Sequence, residues 1–281
     1  MGFKGKAYEV PSYLRSEGLD AFEFQAVRWG LKPGMSVEDA QELGREARAN
    51  DVLLSMHASY FINLCADGKK LEDSIKRLLI CLEYAKHMGA YIVVFHPGFY
   101  KGKLKSEALR GCIKALKRVV EEASSLGEPL PFLGPETTGK PTQLGSLEEI
   151  IAICEEVESC RPVVDWAHLH ARDGRGSIRG REDYEAILAE LERRLGSEVV
   201  ENLHVHFTRV EFGPKGEIKH HTMAEEAYGP EFMPFAELIA EMGLKPVIIS
   251  ESPILDQDSL VMKKMVEEAF ARLGKKPPWT P

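Results

Sequence analysis

The stretch Tyr91-Ile92-Val93-Val94-Phe95-His96-Pro97-Gly98 reads as a strand that stops on a histidine. Its run is rich in Val, Ile and Phe and too short for a helix. Pro97 and Gly98 end it. Upstream, Leu71–Met88 carries Ile75, Leu78, Leu79 and Leu82 on one helical face, and Gly89 follows as a C-cap. Downstream, Ser106–Leu126 again has helical spacing. A strand between two helices is the building block of a parallel sheet.

The same alternation runs in both directions from this block. Strand-like runs are Ala21–Gln25, Val52–His57, Pro131–Glu136, Pro162–Asp165, Leu203–Phe207 and Val247–Glu251. Helix-like stretches are Val37–Ala49, with Ser36 as N-cap, then Leu147–Ser159, Asp183–Leu195, Phe232–Met242 and Asp256–Leu273. An open doubly wound sheet would carry a glycine-rich phosphate loop after its first strand, and none is present. The expected fold is therefore α/β, a TIM (β/α)8-type barrel. Its first strand is expected to be short or missing, because Met1–Lys6 holds two glycines and two lysines. No Pro/Ser-rich linker interrupts the pattern, so residues 1–281 are expected to form a single TIM-barrel domain.

The 281 residues carry a net charge of −8, with 44% hydrophobic and 28% charged residues. That balance suits a folded globular chain and excludes a disordered one. No apolar run is long enough to cross a bilayer, and the N-terminus lacks a secretory stretch, so a cytoplasmic protein without membrane partners is expected. The five cysteines are odd in number and include no Cys-x-x-Cys, which argues against a disulfide framework or a thiolate zinc site. The acidic total excludes a general nucleic-acid coat protein but leaves room for a local basic site.

Metal-ligand side chains recur at one kind of place. His57, His96, Glu136, Asp165 with His168, His206 and Glu251 close successive strand-like runs, while His220 follows in the next loop. In a β/α barrel the C-terminal strand ends meet at one mouth, so these distant residues are expected to gather there. Imidazole with carboxylate suits zinc, with manganese as an alternative. So many donors suggest more than one ion. Neighbouring ions can hold a phosphate, activate water and neutralise a leaving oxygen, which are the needs of phosphodiester hydrolysis.

At these residues the sequence resembles the endonuclease IV family, within the wider xylose-isomerase-like group. The resemblance lies in His57-Ala58-Ser59-Tyr60-Phe61-Ile62-Asn63-Leu64, Phe95-His96-Pro97-Gly98, Gly134-Pro135-Glu136-Thr137-Thr138-Gly139, Val164-Asp165-Trp166-Ala167-His168, Leu203-His204-Val205-His206-Phe207 and Ser250-Glu251-Ser252-Pro253. It implies two or three zinc ions. Glu136 would be the catalytic bridging carboxylate. His57 and His96 would hold the first ion, Asp165, His206 and Glu251 would complete the second, and His168 and His220 would hold the third. The implied reaction is cleavage of DNA 5′ to an abasic site by a metal-activated hydroxide, as in base excision repair. The family places an Asp two residues before the loop histidine, where this chain has Ile218, so the third site is expected to be weak; Glu217 or Glu211 could substitute only if the Glu211–His221 loop folds differently. Phe207-Thr208-Arg209 also replaces a family Asn-Asp.

The resemblance implies damaged double-stranded DNA as the partner, and a monomer is expected. Tyr60 and Phe61 follow a ligand directly, and either pack a loop or wedge into the DNA stack. Lys101, Lys103, Arg172, Arg175 and Arg209 follow ligand-bearing strand ends and are expected to meet phosphates. His170 reads as a loop residue and His204 as packed inside the fold. Two other readings stay open. Glu136, Asp165, His206 and Glu251 alone would serve a single-metal sugar isomerase or epimerase. A catalytically impaired DNA-binding homologue is the third.

Overall fold

The computed structural model describes residues 3–279. Its contacts divide the chain into two compact units, Phe3–Thr138 with Thr142–Val163, and Gly139–Pro141 with the residues from Val164 onward.

The first unit opens with helix α1 (Val10–Glu17), then strand β1 (Ala21–Gln25), α2 (Val37–Ala49), β2 (Leu53–His57), α3 (Gly68–Met88) and β3 (Ile92–Phe95). It continues through the short β4 (Gly98–Phe99), α4 (Lys105–Ala123), β5 (Phe132–Pro135), the short β6 (Gln143–Leu144) and α5 (Leu147–Glu156). Strands β1, β2, β3 and β5 lie side by side in that order and run parallel. The register sets Gln25 beside His57, His57 beside Val94, and Phe95 beside Pro135. The C-terminal ends of these strands therefore line up. Met56, Val93, Leu43, Leu78, Leu116 and Ile150 fill the core between sheet and helices and are almost wholly buried. Ser36 caps α2 by accepting from the Asp39 amide at 3.0 Å, as expected.

The second unit begins within β7 (Val163–Asp165), followed by α6 (Trp166–Ala171), α7 (Arg181–Leu195), α8 (Ser197–Glu201) and β8 (His204–Phe207). A hairpin of β9 (Arg209–Gly213) and β10 (Gly216–His221) comes next, then α9 (Met233–Met242), β11 (Val247–Ser250) and α10 (Asp256–Arg272). Strand β8 lies between β11 and β7, and its pairing with β11 is parallel. Trp166, Tyr184 and Phe235 pack against one another, with centroids 4.8–5.6 Å apart.

Of the N-terminal segment whose strand is expected to be short or missing, Met1 and Gly2 lie outside the described residues. Phe3–Lys6 forms no strand, and α1 follows instead. The β9–β10 hairpin is a departure, because its residues read as a loop. Gly213-Pro214-Lys215-Gly216 supplies the turn that folds it back.

Candidate metal centre

In the first unit, His57 is the last residue of β2, and His96 and Glu136 directly follow β3 and β5. The shared register brings all three to one edge of the sheet. His57 and Glu136 are buried. The Nε2 atoms of His57 and His96 each lie 3.2 Å from the same oxygen, Oε2 of Glu136. His57 Nδ1 sits 2.8 Å from the Ala58 carbonyl, which only an N–H can satisfy, so in the neutral ring Nε2 presents its lone pair to the carboxylate. Two electron-pair donors are held face to face by a shared cation, either a proton or a metal ion. Zinc bonds of about 2 Å at tetrahedral angles put neighbouring donors about 3.3 Å apart, so these three residues fit an ion.

Tyr60 stacks on His96 with centroids 5.5 Å apart and meets the edge of His57 at 5.2 Å. Its ring is half exposed beside the donors. Phe61 is exposed as well, with the Arg77 guanidinium 5.9 Å from its ring centre.

The second unit holds two further groups. Asp165, His206 and Glu251 bring donor atoms within 4.8 Å of one another. His206 Nδ1 lies 3.3 Å from Glu251 Oε1, and both His206 and Asp165 are buried. These residues end β7, sit inside β8 and follow β11. Asp165 also caps α6 by accepting from the His168 amide at 2.7 Å, which turns His168 toward it.

The other group is His168, Glu217 and His220. Glu217 Oε2 lies 3.2 Å from His168 Nε2, and Oε1 lies 3.1 Å from His220 Nε2. Burial would raise the Glu217 carboxyl, but hydrogen bonds and charge from His168 and His220 outweigh it and hold the group well below the usual range. Burial likewise works against a charged His220, yet Glu217, Glu251 and Asp165 push it up to about 9. The set therefore attracts positive charge, either a proton on His220 or a metal ion. The expectation that Ile218 leaves no carboxylate beside these histidines is corrected: Ile218 is exposed, and the neighbouring Glu217 brings its carboxylate oxygens to 3.2 and 3.1 Å from His168 and His220.

His170 is corrected too. It lies buried in α6, where its Nδ1 accepts from the Ile178 amide at 3.2 Å, and burial lowers its pKa so that it stays neutral. His204 is buried with its ring edge-on to His206, as expected.

The basic residues divide into exposed and engaged. Lys101 and Arg175 are exposed. Lys103 binds Asp67 at 2.6 Å and the Cys65 carbonyl at 2.8 Å. Arg172 donates to the Lys140 carbonyl at 2.9 Å. Arg209 is buried, pairs with Glu231, and donates to the Met223 and Tyr228 carbonyls. The expected phosphate contact at Arg209 is withdrawn, since its guanidinium faces the Met223–Glu231 segment. Sequence spacing alone did not reveal this role.

Residues 11–270 match the model of the xylose isomerase-like TIM barrel family. The chain is 30% identical over 217 residues to the probable endonuclease 4 of Chloroflexus aggregans, covering 73% of each chain. It is 28% identical over 262 residues to an uncharacterized protein of Methanocaldococcus jannaschii, covering 93% of this chain and 92% of that one. Endonuclease IV from Thermus thermophilus superimposes with a TM-score of 0.70 at 24% identity, covering 95% and 96% of the two chains. A D-tagatose 3-epimerase-like protein gives 0.65 at 19% identity, over 94% and 92%. These likenesses show a TIM barrel fold. The chain belongs to the xylose isomerase-like TIM barrel family and, within it, to the endonuclease IV family.

Proposed function

We propose that this protein is a zinc-dependent endonuclease that cuts duplex DNA on the 5′ side of abasic sites. One observation carries the reading: His57 and His96 face a single oxygen of the buried Glu136. A single-metal sugar enzyme that uses Asp165, His206 and Glu251 has no need of His57 and His96. When bound, the ions supply positive charge for the phosphate and activation of a water. The chain's own residues do the rest. Glu136 brings a full negative charge to the two imidazoles. Asp165 holds the backbone of His168. Tyr60 presents a half-exposed ring beside His96, where it can stack on a base next to the lesion. Lys101, whose ammonium lies 5.5 Å from the Phe99 ring centre, and Arg175 are exposed and would meet the DNA backbone. The similarity to probable endonuclease 4 proteins supports the same substrate.

Residues 1–281 are proposed to work as one domain, because a single family match runs through both compact units. The second reading is a single-metal isomerase or epimerase, favoured by the Asp165–His206–Glu251 group and the epimerase-like fold neighbour. The test is a labelled duplex with one abasic analogue, incubated with zinc-loaded protein. Cleavage 5′ to the lesion is expected. No cleavage, together with a single bound ion and turnover of a ketose, would establish the sugar enzyme instead.

A further inference from the structure

Regular alternation along β10 would put Glu217 and His220 on opposite faces of the hairpin, because they are three residues apart. The pairing is not regular. Gly216 and Glu217 lie opposite Gly213 and Phe212, but Lys219, His220 and His221 lie opposite Glu211, Val210 and Arg209, with the register shifting between Glu217 and Lys219. Ile218 is the extra residue, a β-bulge that has no partner across the strand. Inserting one residue restores the shared face, so Glu217 and His220 point the same way. Ile218 turns out to solvent and is 61% exposed.

The surroundings are shaped to this arrangement. The Glu217 amide donates to the Gly139 carbonyl at 3.0 Å, which pins the bulged backbone. Gly139 must be glycine, because a Cβ there would come within 2.6–2.9 Å of Glu217 Oε2, Glu217 Cβ and His168 Cδ2. Gly216 has φ 91°, a left-handed conformation that starts the strand at this angle. The far nitrogen of His220, Nδ1, lies 3.0 Å from the Glu251 carbonyl, so Nε2 is aimed at Glu217. His168 Nδ1 lies 3.4 Å from Asp165 Oδ2, which aims its Nε2 the same way. Metal-binding histidines are oriented in this manner, with the second ring nitrogen on an oxygen.

We infer that the Ile218 bulge delivers Glu217 as the anionic ligand of a complete His168–Glu217–His220 zinc site, in place of a carboxylate at position 218. The inference rests on the proposed zinc enzyme and adds the identity of this ligand. The two imidazoles and one carboxylate leave a fourth tetrahedral position open for water or a phosphate oxygen. The site is therefore full strength, and an Asp introduced at 218 would face solvent.

The test counts metal directly. Wild type, Glu217→Gln, Ile218→Asp and a deletion of Ile218 are loaded with zinc, desalted and measured by elemental analysis, with cutting assayed separately. Apo-protein melting and circular dichroism, recorded in chelator, check the fold of each variant. Glu217→Gln is expected to lose one equivalent of zinc while its apo form melts like wild type. Ile218→Asp is expected to keep the full count. Removing Ile218 restores regular register and turns Glu217 away, so it too is expected to lose one equivalent although the carboxylate is still present. A folded Glu217→Gln with the full count overturns the inference and leaves the zinc reading intact, as does a gain of zinc in Ile218→Asp. Wild-type protein that retains no zinc overturns both.

Discussion

At the scale of single residues, charge decides what each substitution does. Glu136 places one carboxylate oxygen against two imidazoles at 3.2 Å and is fully buried. Glu136→Gln keeps the shape and removes the charge, so an ion there loses its counter-charge. Several kcal/mol of such stabilisation corresponds to roughly a hundred- to thousand-fold or more in turnover. Single-turnover cutting of an abasic duplex measures it, and wild-type rates in this variant would remove Glu136 from the reaction. Arg209 illustrates the opposite case. Its side chain is 5% exposed while its partner Glu231 is 56% exposed, so the ion pair is wet on one side and weak. The larger effect of Arg209→Leu is the loss of donors to the Met223 and Tyr228 carbonyls, at about 1–3 kcal/mol. Urea unfolding should show that loss.

At the scale of elements, two glycines in helices test how tightly the layers pack. Gly44 lies in α2 against the backbone carbonyl of Met88, at the end of α3. A Cβ at 44 would fall far inside van der Waals contact with that carbonyl, and backbone gives way poorly. Gly44→Ala is expected to destabilise by about 1–3 kcal/mol through overpacking. Gly111 sits on the exposed face of α4, with open space where its Cβ would be. Gly111→Ala is expected to stabilise by about 0.5–1 kcal/mol, because glycine is the more flexible residue in the unfolded chain. Both are read from thermal or urea melts, and equal effects would contradict the α2–α3 contact. Helix α2 is legible in the chain, since Ser36 caps it by a side-chain bond. Strand β1 and helix α2 have the bounds that their spacing predicts. Helix α6 escaped that reading because it has only six residues, too few to show a period.

At the scale of the whole molecule, a net charge of −8 makes any approach to DNA depend on local cations. Lys101 is exposed, whereas Lys103 is tied to Asp67. Lys101→Ala is expected to flatten the slope of log affinity against log salt by about 0.9, the value of one phosphate contact. An unchanged slope would make Lys101 a solvated surface residue. Metal should also be coupled to folding. Ions that bind only the native state add stability that grows with the logarithm of their concentration. Chelation is therefore expected to lower the melting temperature, and added zinc to restore it. An identical melt with and without chelator would argue that no structural or catalytic ion is held. No helix among the described residues is long and apolar enough to cross a membrane.

The chain by itself determined the alternation of strand and helix and the placement of His57, His96, Glu136, Asp165 and Glu251 at or just past strand ends. Both are local properties: burial imposes a period on the side chains, and a strand stops where its apolar run stops. Tertiary structure decided which donors actually meet. Glu217 reaches His168 because the β9–β10 pairing slips by one residue at Ile218, and a register is set across the hairpin rather than along it. Arg209 turned inward for a similar reason. Its partners Met223, Tyr228 and Glu231 come from a segment that only folding lays against it. Spacing in one strand carries no information about the strand or loop that will lie beside it.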